Sequence, residues 1–259
     1  MRHFTDIFPR GLIVSCQAGK AEPLFGSEIM ARMALAAQTG GAVGIRANGP
    51  EDIRAMKEAV TLPVIGIYKQ NVMGVEKFIT PTFEAAEAIA RAGSDMIAID
   101  ATARQRPDGE TVASLIRRIR EELEIPVMAD CSTFEEALDA AKQGADVVAS
   151  TLAGYTPYTK KTEGPDLALL REMIQHCGVP VIGEGRFHDP HQAAKALQMG
   201  AYAVVVGGAI TRPQDITSRF VFIMGPCLES QTILKKKITK DLSSDPTDPS
   251  DLPPQDLSK

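Results

Sequence analysis

At 259 residues, 44 % of them hydrophobic, the chain suits one α/β barrel or two small domains and carries enough apolar surface for a large core, which excludes a disordered protein. A formal net charge of −5 argues against a nucleic-acid binder, which would carry a basic stripe. No apolar run is long enough to cross a bilayer, and Met1 to Asp6 lacks the opening of a secretory signal, so a cytoplasmic protein without a membrane role is expected.

Eight short apolar runs follow in chain order, and they predict strands at 12–17, 42–47, 63–69, 96–101, 126–131, 147–151, 180–185 and 203–208. Most are continuous Val/Ile runs without polar alternation, the pattern of parallel strands buried on both faces. Between them lie segments of helical period, such as 84–91 and 115–123. Their starts carry signals: Gly49-Pro50 and Asp189-Pro190 put proline at a first helical position, and Ser132 with Glu135 has capping-box spacing. Their stops are glycines, at Gly93, Gly144 and Gly200. An internal echo supports the count. Pro126-Val127 through Gly144-Ala145-Asp146 is written again as Pro180-Val181 through Gly200-Ala201-Tyr202, with two extra residues. Repeated strand–helix units with right-handed crossovers predict a closed (β/α)8 TIM barrel of the phosphate-binding type, with an open doubly wound sheet as the alternative. The barrel domain is expected to occupy 1–228. From 229 to 259 lysines give way to aspartates and prolines, which predicts a polar, disordered tail.

The chemistry-bearing residues cluster where strands stop, the end at which such barrels gather their active sites. Arg46, Lys69, Asp130 and Glu184 close the second, third, fifth and seventh strands. Lys69 is a candidate general base or Schiff-base amine. Arg46 and Arg212 would lower its pKa and ionised Glu184 or Asp130 would raise it, a balance the sequence leaves open. Glu184 sits between Gly183 and Gly185, with little bulk to separate it from a ligand. Gly207-Gly208 after the eighth strand, with Arg212, and Gly185-Arg186 after the seventh form candidate phosphate loops. His188 and His191 have metal-like spacing but straddle a helix start, where they read as cap and surface. Cys16, Cys131, Cys177 and Cys227 lack zinc spacing and read as reduced thiols. No dinucleotide fingerprint, P-loop or nucleophile elbow is present, so no metal and no cofactor is expected.

Taken together, several stretches resemble the N-acetylmannosamine-6-phosphate 2-epimerase (N-acylglucosamine-6-phosphate 2-epimerase) family. They are Val14–Ala18, Ile45–Gly49, Ile65–Lys69, Ile99–Thr102, Arg106-Pro107, Ala129–Thr133, Thr151–Thr156, Gly183–Arg186 and Gly208–Pro213. The resemblance implies a homodimeric, cofactor-independent barrel. It would interconvert N-acetylmannosamine 6-phosphate and N-acetylglucosamine 6-phosphate in bacterial sialic-acid and amino-sugar breakdown. It further implies Lys69 as the base at C2, Glu184 as its acid partner, and Gln17, Arg46, Asp130 and Arg212 as substrate contacts. The chemistry is consistent: ring opening makes C2–H acidic beside an aldehyde, and proton removal and return there invert C2. Two rivals are a Schiff-base aldolase using Lys69 and a non-catalytic sugar-phosphate sensor whose tail engages a partner.

Overall fold

A computed structural model describes residues 3–70 and 79–227; the polar segment 229–259, expected to be a disordered tail, lies outside the described residues. Two compact units make up the chain, Met1–Pro213 and Gln214–Lys259. In the second, residues 214–227 are helical.

The first unit begins with the one-turn helix α1 (Phe4–Ile7), then β1 (Gly11–Cys16), α2 (Ser27–Thr39), β2 (Gly44–Asn48), α3 (Pro50–Ala59) and β3 (Val64–Ile67). Next come α4 (Phe83–Arg91), β4 (Met96–Asp100), α5 (Val112–Glu122), β5 (Val127–Asp130), α6 (Phe134–Lys142) and β6 (Val147–Ala149). The unit closes with α7 (Leu167–His176), β7 (Val181–Glu184), α8 (Pro190–Gln198), β8 (Ala203–Val206) and the single turn α9 (Gly208–Thr211). All eight strands are parallel and pair in sequence order, and β8 returns to β1 through Gly11 opposite Ala203, so the sheet is a closed (β/α)8 barrel.

Strand parity sorts the core. Val14, Ile45, Val64, Ile97, Val127 and Val181 face outward under the helices. Ile13, Ile65, Ile67, Met96, Met128, Ile182 and Val205 fill the interior. Phe8, just past α1, joins the interior set and accepts the Tyr202 hydroxyl at its carbonyl, closing the amino-terminal end. Strand and helix periodicity does not reveal this plug.

The repeated Gly-x-Asp turn has a specific task. Asp95 donates its backbone N–H to the Val64 carbonyl and accepts the Val64 N–H on Oδ2 at 2.8 Å. Asp146 repeats both bonds with Val127. Tyr202 keeps the backbone bond, to Val181, without the carboxylate. Gly93, Gly144 and Gly200 each turn the chain at positive φ, between 96° and 109°.

Two local readings need correction. The capping box on α6 joins Thr133 and Glu136, one residue beyond the expected pair, because Glu136 collects the N–H groups of both Ser132 and Thr133. The element after Gly207-Gly208 is a single turn, with Arg212 past its end. The prolines at Pro50 and Pro190 do open α3 and α8, the latter with a capping box from Asp189 to Gln192. All four cysteines are free, and Cys16 and Cys131 turn outward beneath the helices, where burial pushes the Cys16 thiol up to about 12.

Candidate active site

The outward/inward alternation that buries Ile45, Val127 and Val181 sends Arg46, Asp130 and Glu184 inward near the carboxyl ends of their strands. Across the interior they meet. Arg46 grips Asp130 with both guanidinium nitrogens, Nη1 to Oδ1 at 3.1 Å and Nη2 to Oδ2 at 2.5 Å. The same Nη1 donates to Glu184 Oε2 at 2.6 Å. Thr151 completes the cluster, its Oγ1 lying 2.6 Å from Asp130 Oδ1 and 3.1 Å from Glu184 Oε2. Arg46 and Asp130 are sealed, their side chains 1 % and 0 % exposed, whereas Glu184 keeps 14 %.

Lys69 stands two residues beyond β3, on the inward parity of Ile65 and Ile67. Its backbone N–H donates to Asn48 Oδ1 at 2.8 Å, and the chain beside it pairs antiparallel with Ile79. Thr80 braces that pairing, accepting the Tyr68 N–H on Oγ1 and donating the hydroxyl to the Ala98 carbonyl.

One cation divided between two carboxyl groups sets the electrostatics. Burial would favour neutral Arg46, but attraction to Asp130 and Glu184 outweighs it and holds the guanidinium more firmly protonated than usual. Glu184 is pushed the other way, to about 7: burial raises it most, Asp130 raises it further, and Arg46, Thr151 and Lys69 only partly oppose them. Lys69 drops to about 8, chiefly through burial of its ammonium, then through Arg46 and Arg212, against the opposing carboxylates. The residue as a whole is nonetheless exposed at the barrel mouth. Dense protein around the ammonium and an open route to the bulk are compatible at such a rim. The balance that the sequence left open thus tips toward the neutral amine.

The remaining predicted residues divide into two groups. Gln17 follows the inward parity of β1, donates Nε2 to Ser15 Oγ at 2.8 Å, and has a buried Oε1 without a hydrogen-bond partner among the described residues. Gly207 abuts Ser15, where an added Cβ would lie 3.5 Å from the Ser15 Cβ, and Thr211 ties the same loop to the Ser15 carbonyl. Arg212 reaches back to Glu22 of the loop after β1, with 3.1 Å contacts from Nε and Nη2. Gly185 takes φ +107° after β7. Arg186 donates Nη2 to the Ala153 carbonyl at 2.6 Å and Nε to the Gly164 carbonyl at 3.3 Å, and lies over the Tyr155 ring, while its buried Nη1 has no hydrogen-bond partner among the described residues. Its guanidinium therefore clamps the long loop after β6. Asp130 has both oxygens on Arg46, and Oδ1 on Thr151 as well.

Asn48 and Thr151 were missed as site residues. Their signals were present: Asn48 lies two residues past Arg46, hence on the same face, and Thr151 opens one of the stretches that carried the family resemblance. Ser150 is a third: its hydroxyl donates to the Glu184 carbonyl and accepts the Glu184 N–H. His188 and His191 are exposed at the start of α8, where the His191 N–H donates to Asp189 Oδ1. Among the described residues no group of acidic, histidine and cysteine side chains could hold a metal, and no helix is long and apolar enough to cross a membrane.

A closed parallel barrel with an amine of lowered pKa and a carboxyl of raised pKa at its carboxyl-terminal mouth carries the two kinds of group that enzymes use for acid–base work. The profile of the family described as "Putative N-acetylmannosamine-6-phosphate epimerase" matches residues 30–225. A relative from Caldanaerobacter subterraneus subsp. tengcongensis, named "Putative N-acetylmannosamine-6-phosphate 2-epimerase", is 52 % identical over 82 % of this chain and 90 % of its own. One of the same name from Clostridium perfringens strain SM101 is 49 % identical over 85 % of this chain and 99 % of its own. The solved N-acetylmannosamine-6-phosphate 2-epimerase from Clostridium perfringens superposes with a TM-score of 0.83 at 49 % identity, covering 86 % of this chain and 96 % of that one. The chain belongs to the N-acetylmannosamine-6-phosphate epimerase family and is an isomerase of the epimerase type.

Proposed function

We propose that this enzyme interconverts N-acetylmannosamine 6-phosphate and N-acetylglucosamine 6-phosphate by proton exchange at C2 of the ring-opened sugar. One arrangement carries the reading: Glu184 at the end of β7, paired with Arg46, and Lys69 just beyond β3 on the inward parity act on each other at one mouth, where burial draws the lysine down to about 8 and the glutamate up to about 7. In a closed pyranose no carbonyl adjoins C2, so its proton is too weakly acidic to remove. Glu184, which carries its proton more readily than an ordinary carboxyl group, assists ring opening as the donor. Its Oε2 accepts from Arg46 and lies against the Thr151 hydroxyl, which leaves Oε1 for the sugar. Lys69 in its neutral form then takes the C2 proton, and return of a proton to the opposite face inverts the centre. A proton gained by Lys69 and one released by Glu184 leave the charge of the site unchanged, which suits a largely buried cluster.

Gln17 and Arg212 are assigned to the substrate. The N–H groups at the start of α9, left without intrahelical partners, and those around Gly185 are assigned to its phosphate. Arg46 and Asp130 act by holding Glu184. The chemistry calls only on side chains and backbone. Residues 1–228 are taken as the catalytic domain, working as a cytoplasmic homodimer in sialic-acid and amino-sugar breakdown.

The test is proton NMR of N-acetylmannosamine 6-phosphate with the enzyme in heavy water. The gluco epimer should appear with deuterium at C2, and Lys69→Ala and Glu184→Gln should each slow this at least ~100-fold. Epimer formed without deuterium rules out proton exchange with a solvent-accessible base. Borohydride added during turnover should leave Lys69 unmodified; a trapped adduct would favour the Schiff-base chemistry of an aldolase.

A further inference from the structure

The contact between Thr151 and the two carboxyl groups poses a counting problem. A hydroxyl owns one proton. Thr151 Oγ1 lies within hydrogen-bonding distance of Asp130 Oδ1, at 2.6 Å, and of Glu184 Oε2, at 3.1 Å. It can donate to only one of them at a time. The shorter distance commits the proton to Asp130, so Glu184 Oε2 meets the oxygen's lone pairs and has Arg46 Nη1 as its donor. That arrangement suits a Glu184 protonated on Oε1, whose Oε2 then needs only the Arg46 donor. Once Glu184 gives up its proton, its carboxylate can take a second donor, and a rotation about the Thr151 C–O bond supplies it. Asp130 keeps both Arg46 nitrogens throughout.

We propose that Thr151 is a positioning residue for the epimerisation, its single hydroxyl proton alternating between Asp130 and Glu184 as the Glu184 carboxyl gains and loses a proton. The inference rests on the acid role assigned to Glu184 above. Three features of the fold support it. Thr151 is buried, so bulk water does not compete for the hydroxyl. Its neighbour Ser150 fixes the Glu184 backbone through both N–H and C=O, so the end of β6 holds Glu184 by main chain and side chain together. The charged groups acting on Glu184 are Arg46 from β2, Asp130 from β5 and Lys69 beyond β3; beside them the neutral Thr151 hydroxyl can turn its one proton toward either carboxyl group.

Thr151→Val keeps the shape and removes the hydroxyl; Thr151→Ser keeps the hydroxyl and removes the methyl group. The valine enzyme should lose about 10-fold in kcat with KM little changed, and the limb of its pH profile belonging to Glu184 should move about one unit toward alkaline pH, the scale of one lost hydrogen bond to a charged group. The serine enzyme should keep wild-type kcat and profile. Should Thr151→Val fail to fold, Thr151→Ala against Thr151→Ser reads the same difference. Serine and valine enzymes equally impaired would make the role one of packing. Normal turnover and an unmoved limb in the valine enzyme, with Glu184→Gln inactive, would overturn this inference while sparing the acid role of Glu184. An active Glu184→Gln would overturn both.

Discussion

Asp130→Asn tests the arrangement at its most buried point. Asp130 accepts Arg46 at 3.1 and 2.5 Å and Thr151 at 2.6 Å. An asparagine of the same shape can preserve the oxygen facing Thr151 and Arg46 Nη1. Its NH2 group then faces Arg46 Nη2, donor against donor, in a site with no exposed surface. Arg46 already carries a buried Nε without a partner and would be left with Glu184 as its one close counter-charge among the described residues. Breaking a buried pair from one side costs about 3–5 kcal/mol. For a unit of this size each kcal/mol lowers Tm by about 2–4 °C, so a fall of roughly 6–20 °C is expected by calorimetry. The kinetic consequence has a definite sign. Asp130 raises the pKa of Glu184 and Arg46 lowers it, so removing Asp130 strengthens the lowering side alone. The Glu184 limb of kcat/KM must therefore move to lower pH, and turnover must fall at neutral pH as the acid is lost. A Tm within about 2 °C of wild type, or a limb moved to higher pH, would refute the claim that Asp130 holds Arg46 against Glu184.

The pH profile of the wild-type enzyme is a further test. With Lys69 near 8 required neutral and Glu184 near 7 required protonated, kcat/KM should be bell-shaped between those values. Below 7 too little Lys69 is neutral, and above 8 too little Glu184 is protonated. A profile flat from about pH 6 to 9 would contradict this pairing. In the fold, Gly66→Ala would set a Cβ 2.0 Å from Ser94 Oγ and 2.9 Å from its Cβ. Overpacking of that kind should cost about 1–3 kcal/mol in chemical denaturation, and adding Ser94→Gly should recover most of it. If the double variant is no more stable than the single one, the contact with Ser94 is not the reason for a glycine at this position.

Periodicity alone made the architecture legible. Continuous Val/Ile runs, helix starts at Gly49-Pro50 and Asp189-Pro190, and stops at Gly93, Gly144 and Gly200 located all eight strands to within a few residues. These are local signals, and local backbone geometry answers to them. Strand ends also named Arg46, Lys69, Asp130 and Glu184, because in a parallel barrel all carboxyl ends share one mouth. Closure of the ring decided what each residue does there. Only when β2, β5 and β7 face one another across the interior does Arg46 meet both carboxyl groups, does Asp130 become a buried support, and does Glu184 inherit a raised pKa. Arg186 shows the same limit: its carbonyl partners, at Ala153 and Gly164, lie more than twenty residues away in sequence. Thr151 is an ordinary residue in the chain and acquires a role through two oxygens that folding brings within reach of one proton. Sequence patterns report which backbone each segment prefers; the energy of a charge depends on every group around it, and that environment exists only in the folded barrel.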